Sequence, residues 1–232
     1  MDSRLLWTAV ILALLVIAVP ALSVLSGRRI RSLASSSSGK LWRYARTVII
    51  LWAVTAAALY ALRINGLTAA IVGVRPPHEN WQLLLGLVWV AVMLVTVAAG
   101  ARHYDADYRR ALSAVVPATA VEWSAFVPVA LTAGICEEFL YRGYALWVIL
   151  SLTGNVWAAV LISSLAFALG HAYQGRPGMA GAFISGVFYA SVFLISGSLL
   201  PCMLGHFTQD IVGAAILRRL FKVDRGVAGE AA

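Results

Sequence analysis

Along the chain, long apolar runs alternate with short polar breaks, and no stretch alternates apolar and polar residues as a half-buried strand would. A helix needs about 20 apolar residues to cross a hydrocarbon layer. Seven runs qualify or nearly do, at roughly 6–26, 47–62, 81–100, 125–150, 156–172, 179–196 and 199–217, with the second and fifth the shortest. Without paired strands, only helices can satisfy their backbone groups in lipid, so the pattern predicts an all-α, polytopic transmembrane helical bundle of about seven spans, in a range of six to eight. The polar breaks have different characters. SLASSSSGK at 32–40 reads as a flexible serine-rich connection, without the glycine pattern of a phosphate loop. Residues 64–80 are too polar to span, and Pro76-Pro77 ends any helix there, which points to the outer surface. Residues 101–123 mix both charge signs and read as an amphipathic cytoplasmic segment. No stretch has the character of a second, soluble domain. The expected division is N-terminal helices and linkers at 1–117, a helical core at 118–222 and a cytoplasmic tail at 223–232.

Composition sharpens this picture. Of 232 residues, 61% are hydrophobic and only 12% charged, and the mean hydropathy of +0.85 exceeds what a dispersed soluble domain carries. The net charge of +8 does not indicate nucleic acid, because the basic residues gather beside the spans. Arg28, Arg29, Arg31, Lys40, Arg43 and Arg46 lie in the first linker with no acid among them, and Arg218, Arg219, Lys222 and Arg225 follow the last span. Such Lys/Arg bias sets orientation, placing both regions in the cytoplasm and the N-terminus outside. Anionic membrane lipid is the expected contact of these charges, and the compact, alanine-rich chain points to a bacterial cell membrane. The first run also has features of a cleaved secretory signal, but the stronger basic bias after it favours a retained span. Cys136 and Cys202 sit in apolar surroundings, match no metal spacing and read as small hydrophobes.

The ionisable residues left at membrane depth are Glu137, Glu138, Arg142, His171, His206 and Asp210, and such groups default to a functional hypothesis. Consecutive helical residues point about 100° apart, so the two glutamates cannot share one environment. Glu138 and Arg142 stand at i, i+4 with the acid first, the favourable order for an ion pair. That assigns this pair to structure and leaves Glu137 for chemistry, against the alternative of a purely structural knot of charges. Glu137 precedes Gly154 of the Thr153-Gly154-Asn155 turn by 17 residues and His171 follows it by 17. Both would lie about 25 Å from the turn, at matching depth on antiparallel helices and placed to share a water. Phe167, one turn before His171, would form an apolar wall beside it. His206 and Asp210 share one face of the last span, about 12 and 18 Å below Ser198. They come out shallower than the other cluster unless that helix tilts or its preceding turn dips. Pro201 suits that helix's first turn. LGHAYQ at 169–174 echoes LGHFTQ at 204–209, and the glycine before each histidine would admit a neighbouring helix close to the imidazole.

Glu-Glu-x-x-x-Arg at Glu137, Glu138 and Arg142, Phe-x-x-x-His at Phe167 and His171, and His-x-x-x-Asp at His206 and Asp210 follow one another on successive helices. In that order they resemble the CPBP family of intramembrane endopeptidases, which includes type II CAAX prenyl proteases, Abi proteins and lysostaphin resistance protein A-like proteins. The resemblance covers about residues 118–222 and marks them as a catalytic core. It implies that Glu137 and His171 polarise a water that attacks the scissile carbonyl. It also implies that His206 and Asp210 stabilise the oxyanion and that Glu138 and Arg142 hold the site in shape. The implied partner is a peptide or lipidated (CAAX-like) protein substrate. The chain departs from a well-known version of the pattern, which ends in asparagine, because Asp210 donates a hydrogen bond only when protonated. A second chemistry stays open, in which Glu137, His171, His206 and Asp210 hold a divalent metal such as Zn, as in a metalloprotease.

Competing readings are a proton- or ion-coupled membrane carrier, a metal-dependent lipid hydrolase, and a non-catalytic immunity or scaffold protein. Carriers show repeated halves and interrupted helices, and no such symmetry is present in the sequence.

Overall fold

The computed structural model describes residues 3–32, 37–100 and 106–220. Positions 33–36 of the serine connection, 101–105 of the amphipathic segment, and the tail with Lys222 and Arg225 lie outside the described residues. The described chain is helical throughout its spans, in agreement with the expected bundle. The first span joins α1 (Ser3–Ala13) to α2 (Val19–Ser32) through a π-turn at Leu14–Ala18, and α3 (Ser37–Ile64) and α4 (Leu85–Gly100) follow. A short α5 (Ala106–Ser113) leads into α6 (Ala120–Glu137), which runs through a π-helical segment, Glu138–Ala145, into α7 (Leu146–Thr153). The chain ends in α8 (Val156–Gly170), α9 (Gly175–Ser196) and α10 (Leu200–Leu220). Six of these stretches are long and apolar enough to span: Leu6–Leu25, Ser37–Ile64, Asn80–Val97, Ala120–Thr153, Ala172–Ser196 and Leu200–Leu220. The seventh expected span is α8, apolar but shorter. Apolar side chains such as Leu25, Ile49, Val95 and Trp157 are exposed on the outer faces, which suits an integral membrane protein surrounded by lipid.

Two elements differ from the sequence reading. Helix α3 is far longer than the run at 47–62, so Lys40, Arg43 and Arg46 belong to a helix rather than a linker. Lys40 is buried, and its Nζ donates to Glu122 Oε2 at 3.0 Å and to the Val116 carbonyl at 3.0 Å. Arg43 Nη2 donates to the Ala114 carbonyl at 2.9 Å, and the Tyr44 hydroxyl donates to the Val115 carbonyl. Three side chains of α3 therefore grip three consecutive carbonyls between α5 and α6, and the acid that neutralises Lys40 comes from 82 residues away.

The second concerns residues 64–80, most of which are exposed, as expected of a surface loop, but which insert into the bundle at one point, where Val72 is 0% exposed. It is tied to the α9–α10 turn: Leu199 N–H donates to the Gly73 carbonyl at 2.9 Å and His78 N–H to the Ser196 carbonyl at 3.1 Å. Arg75 Nε donates to the Gly197 carbonyl at 2.7 Å, and the Ser198 hydroxyl donates to the Arg75 carbonyl. Ser196, Ser198 and Leu199 are each 0% exposed. A Cβ on Gly143 would lie 2.8 Å from the Val72 carbonyl oxygen and 3.1 Å from Leu199 Cδ1. The α9–α10 turn thus lies level with Gly143, ten residues short of the Thr153 end of that span, and the loop roofs it. Lowering this turn brings α10 down to the depth of the glutamate pair. The turn expected at Thr153-Gly154-Asn155 is present, with Gly154 at φ 64°. Asn155 caps α8 by accepting from Trp157 N–H at 2.9 Å and Ala158 N–H at 3.1 Å.

Helix α10 is packed through glycines. A Cβ on Gly205 would lie 2.6 Å from the Gly86 carbonyl oxygen of α4, and one on Gly134 of α6 would lie 3.0 Å from the Met203 carbonyl oxygen. The expectation that Gly205 admits a close helix beside His206 holds. At Gly170 the nearest atoms are an ordinary 3.6 and 3.8 Å away, so the sequence echo is not a structural one. Ile11 and Leu15 of the first span lie in the same apolar core as Leu62, Leu140 and Tyr144. Described helices from both sides of residue 118 therefore share one apolar core. Cys136 and Cys202 are free and buried.

Candidate active site

Thr119 caps α6 by accepting from Glu122 N–H at 3.1 Å, and the helix delivers Glu137 as its last α-helical residue before the π segment begins at Glu138. Insertions of π geometry re-aim side chains relative to a regular helix and often occur at functional sites. Here the segment contains Glu138, Arg142 and Gly143, all buried.

Glu138 and Arg142 form the expected pair: Nη1 lies 3.1 Å from Oε1, with side chains 2% and 0% exposed respectively. The approach is a charge contact without aligned hydrogen bonds, since both guanidinium Nη atoms are buried with no hydrogen-bond partner among the described residues. The guanidinium lies instead over the Phe167 ring, 4.0 Å from its centroid, a cation–π contact worth about 2 kcal/mol where water is excluded. The same Oε1 accepts from His206 Nδ1 at 2.7 Å, a link that spans two helices. A carboxylate only accepts, so this bond fixes hydrogen on Nδ1 and turns Nε2 toward the other acids. Nε2 stands 3.8 Å from Glu137 Oε2 and 3.9 Å from Asp210 Oδ1. Glu138 therefore orients His206 as well as balancing Arg142.

His171 closes α8 as its C-cap residue, at φ −96° and ψ 12°, ahead of a 3-10 turn at Ala172–Gln174. Its Nδ1 is 2.9 Å from the Phe167 carbonyl oxygen. That oxygen can only accept, so Nδ1 carries the hydrogen and Nε2 is left with its lone pair. The Phe167 ring packs against His171 at 4.5 Å between centroids and meets His206 edge-on at 6.1 Å. The apolar wall expected beside His171 is present, and it touches both imidazoles.

Among the described residues Glu137 forms its ion-pair contact with His206 and none with His171. His171 instead lies within electrostatic reach of His206, Asp210 and Arg142, and Asp210 of His206, Glu137 and His171. Arg142, Phe167, His171, His206 and Asp210 line one cavity of about 420 Å³ between α4, α9 and α10, and α5 flanks its mouth. Glu137 borders this group, with its side chain 17% exposed. Asp210 is the more open acid, at 28%. The depth mismatch expected for His206 and Asp210 disappears because of the lowered α9–α10 turn.

No group of three or more His, Cys, Asp or Glu side chains able to hold a metal ion occurs among the described residues. The four residues of the metal alternative do not converge as a ligand set.

Sequence reasoning passed over three residues here. Tyr189, almost fully buried, lies parallel to the His206 ring at 6.1 Å and 10° and donates its hydroxyl to Gln209 Oε1 at 3.2 Å. Gln209 lines the cavity one turn after His206. Tyr173 stacks on His171 at 6.0 Å and lies within electrostatic reach of Glu137 and Asp210. Two of them, Tyr173 and Gln209, lie inside the paired LGHAYQ and LGHFTQ motifs, which was the available signal; Tyr189 had none.

Residues 119–212, somewhat less than half of the chain, match the family model described as Rce1-like, type II CAAX prenyl endopeptidase Rce1-like. The match spans all three motifs and agrees with the resemblance to the CPBP family. No curated protein and no solved structure matches the chain.

Proposed function

With an Rce1-like domain over residues 119–212 as the premise, we propose that the protein is a glutamate-dependent intramembrane endopeptidase that hydrolyses membrane-associated or lipidated peptides. The observation that carries this reading is the meeting of two acids on one imidazole, with Glu137 and Asp210 3.8 Å and 3.9 Å from His206 Nε2 at the edge of a cavity. A structural knot of charges would not need a cavity beside it.

In this mechanism Glu137 accepts a proton from a water as the water oxygen attacks the scissile carbonyl carbon and the carbonyl electron pair moves to its oxygen. His171 Nε2, whose lone pair is fixed by the Phe167 carbonyl, holds the same water. His206, oriented by Glu138, contributes to holding the oxyanion when its Nε2 also carries a proton, as a cation between Glu137 and Asp210. When the tetrahedral intermediate collapses, Glu137 returns the proton to the departing amine. General-base catalysis of this kind contributes about 10² to 10⁴ in rate, and oxyanion stabilisation a similar amount. No step is routed through a metal. The Lys/Arg bias supports an orientation with His171 and Asp210 nearer the cytoplasmic side, so that the substrate would enter from the cytoplasm or the inner leaflet.

The test is cleavage of a panel of quenched fluorescent peptides, with and without a lipid anchor, by purified protein in detergent or lipid nanodiscs. Wild type should cleave a subset, His171→Ala none, and a chelator should have no effect. Equal cleavage by His171→Ala would reject the assignment, and loss of activity with chelator would favour the metal chemistry.

A further inference from the structure

An oxyanion needs donors, and the donors around His206 are compromised. Its Nδ1–H is committed to Glu138, and its Nε2 faces two carboxylates, Glu137 and Asp210. Asp210 itself accepts unless protonated, so the residue that ends the third motif is poorly suited to hold a developing negative charge. A neutral donor stands one position earlier. Gln209 lines the same cavity, three residues after His206 and hence on the adjoining face of α10. Its Oε1 is occupied by the Tyr189 hydroxyl at 3.2 Å. The amide is planar, so a bond at Oε1 turns the NH₂ group to the opposite side. Gln209 also has a fixed platform, because Tyr189 is 1% exposed and lies parallel to the His206 ring.

We infer that Gln209, oriented by Tyr189, donates its side-chain N–H to the substrate carbonyl oxygen as water adds, supplying the neutral oxyanion donor that Asp210 does not. No bond to Gln209 forms or breaks; its hydrogen bond tightens as charge grows on the oxygen. This inference rests on the endopeptidase reading above. It makes Gln209 a catalytic residue and Tyr189 a positioning residue.

The experiment measures kcat and KM of purified variants on a peptide that wild type cleaves, with Glu137→Gln as the control for the reading itself. Gln209→Met, close in shape but without a donor, should lower kcat about 10² to 10³-fold with KM within about twofold. Tyr189→Phe should lower kcat by a smaller factor, about tenfold, because the amide remains but is no longer held. Adding Asp210→Asn to Gln209→Met places a primary amide one residue further on and should recover at least about tenfold in kcat, a rescue that a packing role would not give. Gln209→Glu, which keeps the length and the contact with Tyr189 but offers only acceptors, replaces the Met variant if that one does not fold. A kcat within twofold of wild type in the donor-free variant, a loss confined to KM, or no gain from Asp210→Asn would each overturn the inference. If wild-type cleavage also survives Glu137→Gln, the endopeptidase reading itself has failed; if Glu137→Gln is inactive and the Gln209 variants are unaffected, only this inference has.

Discussion

Replacing Glu138 with glutamine tests the division of labour between two adjacent acids. Glu138 is 0% exposed and stands against Arg142, itself 2% exposed, while its Oε1 also accepts from His206. Removing the charge strands a buried guanidinium whose Nη atoms have no hydrogen-bond partner among the described residues; the Phe167 face offsets only part of the loss. Breaking one side of a buried pair costs about 3–5 kcal/mol. For a chain of this size that corresponds to a fall in Tm of about 6–20 °C. Glu137→Gln removes a charge from a side chain 17% exposed whose attraction to His206 and Arg142 is opposed by repulsion from Glu138. Its fall in Tm should be clearly smaller, because no buried cation is left stranded. The assay is thermal denaturation in one detergent, read as the fraction still eluting at the unheated protein's position on size exclusion after heating. The double variant Glu138→Gln/Arg142→Gln should lose less than the sum of its singles, because it leaves no stranded charge. Equal falls in Tm for the two glutamate variants, or strict additivity in the double, would refute the reasoning.

Other consequences concern packing and orientation. A Cβ on Gly86 would lie 1.9 Å from the Pro201 carbonyl oxygen, a backbone atom that cannot step aside, whereas Gly181 has nothing within 4 Å. Gly86→Ala should therefore destabilise by about 3 kcal/mol or more and Gly181→Ala by almost nothing, as thermal unfolding of the two variants would show. Lys40→Gln removes the cation that neutralises Glu122 and one of the three grips on residues 114–116. A loss of about 3 kcal/mol is expected, with faster proteolysis between α5 and α6. The orientation expected from the Lys/Arg bias, N-terminus outside, predicts that a cysteine at the exposed Asn155 reacts with a membrane-impermeant maleimide in intact cells and one at Arg219 only after lysis; the reverse pattern would invert the topology.

Local relationships were legible in the sequence, and relationships set by tertiary packing were not. The pairing of Glu138 with Arg142, the capping turn at Thr153-Gly154-Asn155 and the apolar wall at Phe167 follow from helical spacing alone, and all are present. The bond from His206 to Glu138 depends on how deep α10 sits. That depth goes with the loop around Val72, which is mostly exposed, as its polar, proline-bearing sequence suggests, but which also roofs the α9–α10 turn through Val72, a contact that composition does not reveal. The basic stretch at Lys40 reads as a lipid-facing linker because no acid is near it in sequence; its partner Glu122 arrives only when α3 packs on α6. The π segment likewise carries no signal in local spacing; it contains Gly143, which packs against the Val72 carbonyl and Leu199. Gln209 and Tyr189 escape a reading based on charge, being neutral residues whose roles arise from contact with each other.

The most direct test of the account is the peptide-cleavage rate of Glu137→Gln beside wild type, with both proteins shown to be folded and equally stable. Hydrolysis driven by a glutamate-activated water predicts a drop of at least about 10²-fold in kcat with substrate affinity retained. Cleavage by the glutamine variant at the wild-type rate would contradict it.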